Sequence, residues 1–312
     1  MRGLELSERF YKECGEPMLR ERFPELLPLI AVGLVGGGSE CLGYDDDISR
    51  DHDFEAGFCI FLPDETRVDR KAEFELERAY SYLPKEFMGY KRSGLSPVGG
   101  NRHGVMRTAE FFKSKTGTTD GVLSVGDWFF IPEQSLAEAT DGRIFYDGLG
   151  EVTAIRERLA YMPSDVRLKK LAGNLLLMGQ AGQYNYPRCI ARGDRAAAQL
   201  AVFELAKAAL NTAFLLNRRY APYYKWTFRA LAELPRLSEL YGPLEYLISS
   251  GNGEVAERKQ SIIEDVCARV IAELRAQGLS DATGEDIEMH AYSVNDKISD
   301  GGVRNLHILY AV

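Results

Sequence analysis

The chain has 312 residues, enough to bury a sizeable core as one large domain or two ordinary ones, and two are expected. Its 45% hydrophobic and 27% charged residues are the proportions of a folded globular chain and exclude a disordered one. With 46 Asp+Glu against 38 Lys+Arg the formal charge is −8, which argues against broad, charge-driven binding to nucleic acid or to an anionic membrane.

In chain order, LSERFYKECGEPMLRERFPEL (6–26) has helical spacing that Pro24 ends. LIAVGLVG (29–36) is an apolar, β-rich run stopped by glycines and reads as a buried strand. HDFEAGFCIFL (52–62) predicts a second strand closed by Pro63. A helix is expected over 69–87, with Phe74, Leu76, Ala79, Tyr80 and Leu83 at helical intervals, and a third strand over VMRTAEFF (105–112). From about 153 to 248 the pattern is helical and rich in Leu and Ala, and 255–279 is amphipathic. The fold class expected is therefore α+β: a small mixed-sheet domain over 1–150, then a helical bundle over 151–312.

No apolar run is read as approaching the ~20 residues of a membrane helix, and the N-terminus lacks the apolar core of a secretion signal, so no membrane partner and a cytoplasmic location are expected. The five cysteines (Cys14, Cys41, Cys59, Cys189 and Cys267) show no CxxC pair and no zinc spacing, so free thiols are expected.

Chemistry concentrates in residues 36–53, GGGSECLGYDDDISRDHD. Glycine has no Cβ and adopts positive φ, so the Gly36-Gly37-Gly38-Ser39 turn lets backbone amides approach an anionic ligand, and Ser39 adds a hydroxyl. Asp51 and Asp53 lie two apart at the start of the expected second strand, which puts both carboxylates on one face, about 6.6 Å apart along the chain. Two such oxygens can share a hard cation, and Mg²⁺ takes one or two carboxylates together with substrate phosphates. An ordinary turn followed by strand-capping acids is the plainer alternative.

Arg50 could neutralise a phosphate or pair with the Asp45-Asp46-Asp47 run, which itself reads most simply as a helix cap or solvated turn. In the helical half, GQAGQYNYPR places Arg188 after a proline and so near an expected helix break, while RRYAPYYKW offers Lys225 among aromatic rings as a phosphate ligand. Helix-to-helix hydrogen bonding and loop packing are the alternatives for these two stretches.

GGGS, an eleven-residue gap and DHD resemble the signature of the DNA polymerase beta-like nucleotidyltransferase superfamily, which includes aminoglycoside nucleotidyltransferases. LGYDDDISRDHDF, SVGDWFFIPEQSLAEATDGRIFYDGLGEVTAIRERL, MGQAGQYNYPRC and LLNRRYAPYYKW resemble a bacterial family of that superfamily known as a domain of unknown function, over roughly residues 30–235. The resemblance implies a nucleotidyltransferase domain followed by a helical domain, with substrate held between them. It implies Gly38 and Ser39 on nucleotide phosphates, Gly37 beside them, and Asp51 and Asp53 as ligands of one or two Mg²⁺ ions. It also implies a third acid on a neighbouring strand, for which Glu110 is the first candidate and Asp127 and Glu55 are rivals.

The expected activity is Mg²⁺-dependent transfer of a nucleoside monophosphate, AMP from ATP first among NTPs, to an acceptor hydroxyl or phosphate. A small, cationic acceptor suits the −8 charge, and a protein or tRNA acceptor stays open. The rival expectation is a nucleotide-binding regulatory or interaction protein with a decayed active site.

Overall fold

The computed structural model describes residues 1–46, 55–92, 103–253 and 255–312. The expected α+β class holds: a four-stranded mixed sheet with flanking helices, then an all-helical part. The chain divides into two units, one of Met1–Ser124 with Ile131–Ala160, the other of Val125–Phe130 with Tyr161–Val312.

The first unit opens with one long helical path, α1 (Gly3–Phe10), a π-helical turn (Tyr11–Gly15) and α2 (Glu16–Arg22). Pro17 cannot donate to the carbonyl four residues back, and its ring would clash there. The widened turn, in which the Glu16 amide donates to the Tyr11 carbonyl five residues back, moves that carbonyl aside and lets the path continue. It ends at Phe23, which leaves the helical region (φ −138°, ψ 45°) because Pro24 follows.

The sheet has the order β5-β2-β1-β6. Strands β1 (Ala31–Leu34) and β2 (Cys59–Leu62) are antiparallel, with Val32 opposite Ile60, and all eight of their residues are buried, as central strands covered on both faces must be. After β2 come α4 (Arg70–Ser81), capped by the Asp69 carboxylate, and a hairpin of β3 (Glu86–Phe87) and β4 (Tyr90–Lys91), while α3 (Ser39–Leu42) precedes β2. Strand β5 (Gly104–Arg107) runs parallel to β2, with Gly104 opposite Cys59 and Arg107 opposite Leu62. Helices α5 (Thr108–Thr116), α6 (Val125–Phe130) and α7 (Glu133–Thr140) lead to β6 (Arg143–Asp147), antiparallel to β1, and α8 (Glu151–Leu159) closes the unit. On one face of the sheet Ile30, Val32, Phe58, Ile60 and Leu62 bury against Leu6, Phe10, Leu19, Leu76 and Tyr80; on the other, Phe61 meets Phe111 of α5 edge-on. That alternation is the period of two a strand imposes.

Two expectations are corrected here. The second strand begins at Cys59 and the described residues 55–58 are outside it: Ser7 Oγ donates to the Gly57 carbonyl (2.6 Å), the Tyr80 hydroxyl bonds both polar groups of the Phe58 backbone, and the Gly104 amide also donates to the Phe58 carbonyl (2.9 Å), while residues 52–54 of the expected strand lie outside the described residues. The third strand stops at Arg107, and Glu110 lies in the first turn of α5. Thr108, Phe112 and Thr116 are its buried residues, four apart, which is a helical stripe and not an alternation.

In the second unit the remaining helices are α9 (Ser164–Met178), α10 (Tyr186–Ala191), α11 (Arg195–Leu216), α12 (Tyr224–Ala232), α13 (Tyr241–Ser249), α14 (Ala256–Ala276), α15 (Ile287–Asp296) and α16 (Gly301–Arg304). Helix α9 is buried along most of its length and packs on α11 and α15. The expected break before Arg188 is absent: a second π turn, Gly179–Asn185, joins α9 to α10, with the Tyr186 amide bonded to the Ala181 carbonyl and Pro187 directly after. The device is the one seen before Pro17. The expectation of no long apolar run is also corrected, since α11 is long and apolar enough to cross a membrane by length and composition, at mean hydropathy 1.3, with 56% of that window buried.

Two buried titratable side chains of this unit, Lys169 and His290, are matched by hydrogen bonds. Lys169 donates to Asn295 Oδ1 (2.7 Å) and to the Arg304 and Leu306 carbonyls (2.9 and 2.8 Å), tying α9 to the C-terminal segment. His290, with 0% exposure, has Nδ1 at 2.8 Å from Ser280 Oγ and Nε2 at 3.3 Å from the Gly284 carbonyl, an acceptor that calls for a proton on Nε2.

Two outcomes follow. Arg107, 7% exposed, donates to the Pro63 and Val68 carbonyls (2.7 and 2.8 Å) and pairs with Glu73, so Arg107→Met leaves those acceptors unmatched and should cost about 3 kcal/mol in denaturant unfolding. Burial pushes the His290 imidazole below its ordinary value, against the Gly284 carbonyl, which favours the charged ring. The unfolded chain then takes up a proton first, so stability is full above about pH 6.5 and falls as pH drops towards the folded value. Unfolding measured from pH 7.5 to 5 should show that loss, and His290→Asn should lack this part of the slope.

Candidate active site

Register decides which segments meet. Leu34 at the end of β1, Cys59 at the start of β2, Gly104 at the start of β5 and Arg143 at the start of β6 lie at one end of the sheet. The glycine turn leaves β1 at that end, and the chain enters β2 and β5 there.

The turn is built as glycine demands. Gly36 has φ 105°, and Gly38 has φ 134° with ψ 151°, a conformation essentially closed to residues with a Cβ. Ser39 then begins α3, a single turn closed by Gly43 at φ 73°. Its hydroxyl lies 3.5 Å from the Glu40 carboxylate, and the Cys41 carbonyl accepts from the Gly142 amide (3.2 Å), which ties the turn to the start of β6. Asp45, just beyond, accepts from the Gly3 amide at the N-terminus of α1 (2.8 Å), as the capping reading of the acidic run expects.

Opposite the turn, the segment that enters β2 is pinned at three successive points. Glu55 pairs with His103 Nδ1 at 3.0 Å, with side chains 17% and 8% exposed; Ser7 holds Gly57 and Tyr80 holds Phe58. The Glu55–His103 contact spans 48 residues and exists because β5 runs parallel to β2, so no local pattern announces it. Two further charged residues stand beside the turn and were not singled out from the sequence. Lys115 of α5 forms an ion pair with Glu138 of α7, and the Glu138 carboxylate lies against Gly37.

Gly37, Gly38, Ser39 and Glu55 thus share one sheet end. Arg50, Asp51 and Asp53 fall outside the described residues. Glu110, exposed in the first turn of α5, follows Arg107 at the opposite end of β5 from Gly104. Asp127, in the first turn of α6, belongs to the second unit. So do Arg188, which stacks 3.9 Å above the Tyr184 ring, and Lys225, 4.9 Å from the Trp226 ring, both exposed. Gln183 answers to helix-to-helix bonding: its amide donates to Glu264 (2.6 Å) and the Glu285 carbonyl and accepts from Ile287. Among the described residues no group of three or more His, Cys, Asp and Glu side chains is arranged to hold a metal ion.

Comparison with known proteins adds the following. No curated protein matches the chain. Among solved structures the chain is similar to a nucleotidyltransferase-like protein from Exiguobacterium sibiricum 255-15, at 11% identity and a TM-score of 0.38, covering 92% of this chain and 81% of that one. Residues 128–227 match the family described as Domain of unknown function (DUF4037).

Proposed function

We propose that the protein is a Mg²⁺-dependent nucleotidyltransferase that moves a nucleoside monophosphate, AMP from ATP first, to an acceptor hydroxyl or phosphate. The observation that carries this reading is the glycine turn at the sheet end where the chain carrying Asp51-His52-Asp53 enters β2. Amides of Gly37 and Gly38 and the Ser39 hydroxyl would receive triphosphate oxygens, with Arg50 as a further cation. Asp51 and Asp53 would hold Mg²⁺, which when bound neutralises charge on those oxygens.

The acceptor oxygen attacks the α-phosphorus in line and pyrophosphate leaves. Positioning and charge supply most of the rate, because phosphoryl-type transfer needs little covalent help from a protein. Glu55, held at this end of the sheet by His103, is the acid we assign to take the acceptor proton; Glu110, at the far end of β5, is left out. A small cationic acceptor fits the net charge of −8 better than tRNA or protein does.

A second reading, a nucleotide-binding regulator without transfer, is favoured by one observation: Glu55 is already engaged by His103. Incubation with Mg²⁺ and labelled NTPs, with and without cell extract and with tRNA as a separate acceptor, distinguishes the two. Pyrophosphate release that falls on the order of 100-fold or more in a folded Asp53→Asn variant is the expected result. Tight nucleotide binding without release would establish the regulator, and neither binding nor release would end both readings.

A further inference from the structure

The glycine turn has a charged wall that neither the motif nor the proposed roles include. Glu138 of α7 places its carboxyl carbon and oxygens 3.4–3.6 Å from where a Cβ on Gly37 would sit, which is ordinary contact distance and sets the carboxylate directly beside the turn. Glu138 is paired with Lys115 on α5. One helical turn earlier on α5, Phe111 lies 3.7 Å from the corresponding position on Gly36. Phe111 and Lys115, four residues apart on one helix face, therefore run along the turn.

A bare carboxylate beside a turn that takes triphosphate would repel it. Lys115 cancels that charge, and the two side chains, 24% and 30% exposed, remain open to water. A lysine stem is flexible, and its ammonium can change acceptors without moving the helix.

We propose that Lys115 is a triphosphate-binding residue held in reserve by Glu138: on arrival of the nucleotide the ammonium exchanges the carboxylate for phosphate oxygens, so that Glu138 competes with the ligand for the same cation. This rests on the reading that the turn takes a nucleoside triphosphate. The competition has a signature that a structural ion pair lacks. Loss of either partner of a structural pair acts in the same direction, whereas loss of the two partners of a competition acts in opposite directions.

The test is the affinity of the Mg²⁺ complex of α,β-methylene ATP, by calorimetry, for the full chain and for Lys115→Met, Lys115→Arg and Glu138→Gln, each checked by thermal unfolding. Lys115→Met should weaken binding by about tenfold, Lys115→Arg should restore part of it, and Glu138→Gln should tighten binding several-fold. Unchanged affinity in Lys115→Met, or weakening in Glu138→Gln, overturns the inference while leaving the turn's role standing. Should Lys115→Met not fold, the sign of the Glu138→Gln effect decides alone. An unsubstituted chain that does not bind the analogue ends the inference together with the reading beneath it.

Discussion

The pairing of Val32 with Ile60 is the constraint on which the rest of the first unit depends. It sets the end of β1 beside the start of β2, and the parallel addition of β5 brings His103 to the same level. A slip of one residue would turn Ile60 and Leu62 out of the layer they share with Phe10, Leu19 and Tyr80 and would separate the glycine turn from the entry to β2. Register is thus held by burial on both faces, and the convergence of loops at one sheet end is its by-product.

The described residues just before β2 at that end are braced by side chains from three other elements. The segment before β2 makes few ladder bonds, and its polar groups are met by Ser7 from α1, Tyr80 from α4 and His103 from the start of β5. Buried main-chain groups need partners, and here side chains provide them. The same elements form the core, so the packing that stabilises the unit also orients the candidate site. Arg107 does the matching task at the far end, closing the carbonyls of the loop that follows β2.

The two π turns show how one local rule governs both units. Each precedes a proline by a single residue, Glu16 before Pro17 and Tyr186 before Pro187, and each replaces a four-residue hydrogen bond by a five-residue one. A proline that looks like a break therefore becomes an interior helix position once the preceding turn widens. Arg188 ends on the surface of a continuous helical path, stacked on Tyr184, and not at the mouth of a break. In the helical unit the buried Lys169 and Lys259 donate to carbonyl and amide oxygens, so charge there ties helices together.

By itself the sequence determined the α+β class, the buried first strand, the amphipathic helices and the glycine turn, because each is written in a local period or in residues with a special backbone. It also carried the Asp51-His52-Asp53 spacing, which no fold is needed to read. Tertiary structure decided the rest. Residues 105–112 carry enough β-branched and aromatic residues to suggest a strand, yet Thr108, Phe112 and Thr116 are the buried residues of α5, a helical stripe that leaves Glu110 exposed at the far end of β5 from the turn. The neighbours that matter most at the turn, Glu55 with His103 and Lys115 with Glu138, are 48 and 23 residues apart. Contacts of that range arise from strand order and helix packing, which single-residue preferences and short periods do not encode.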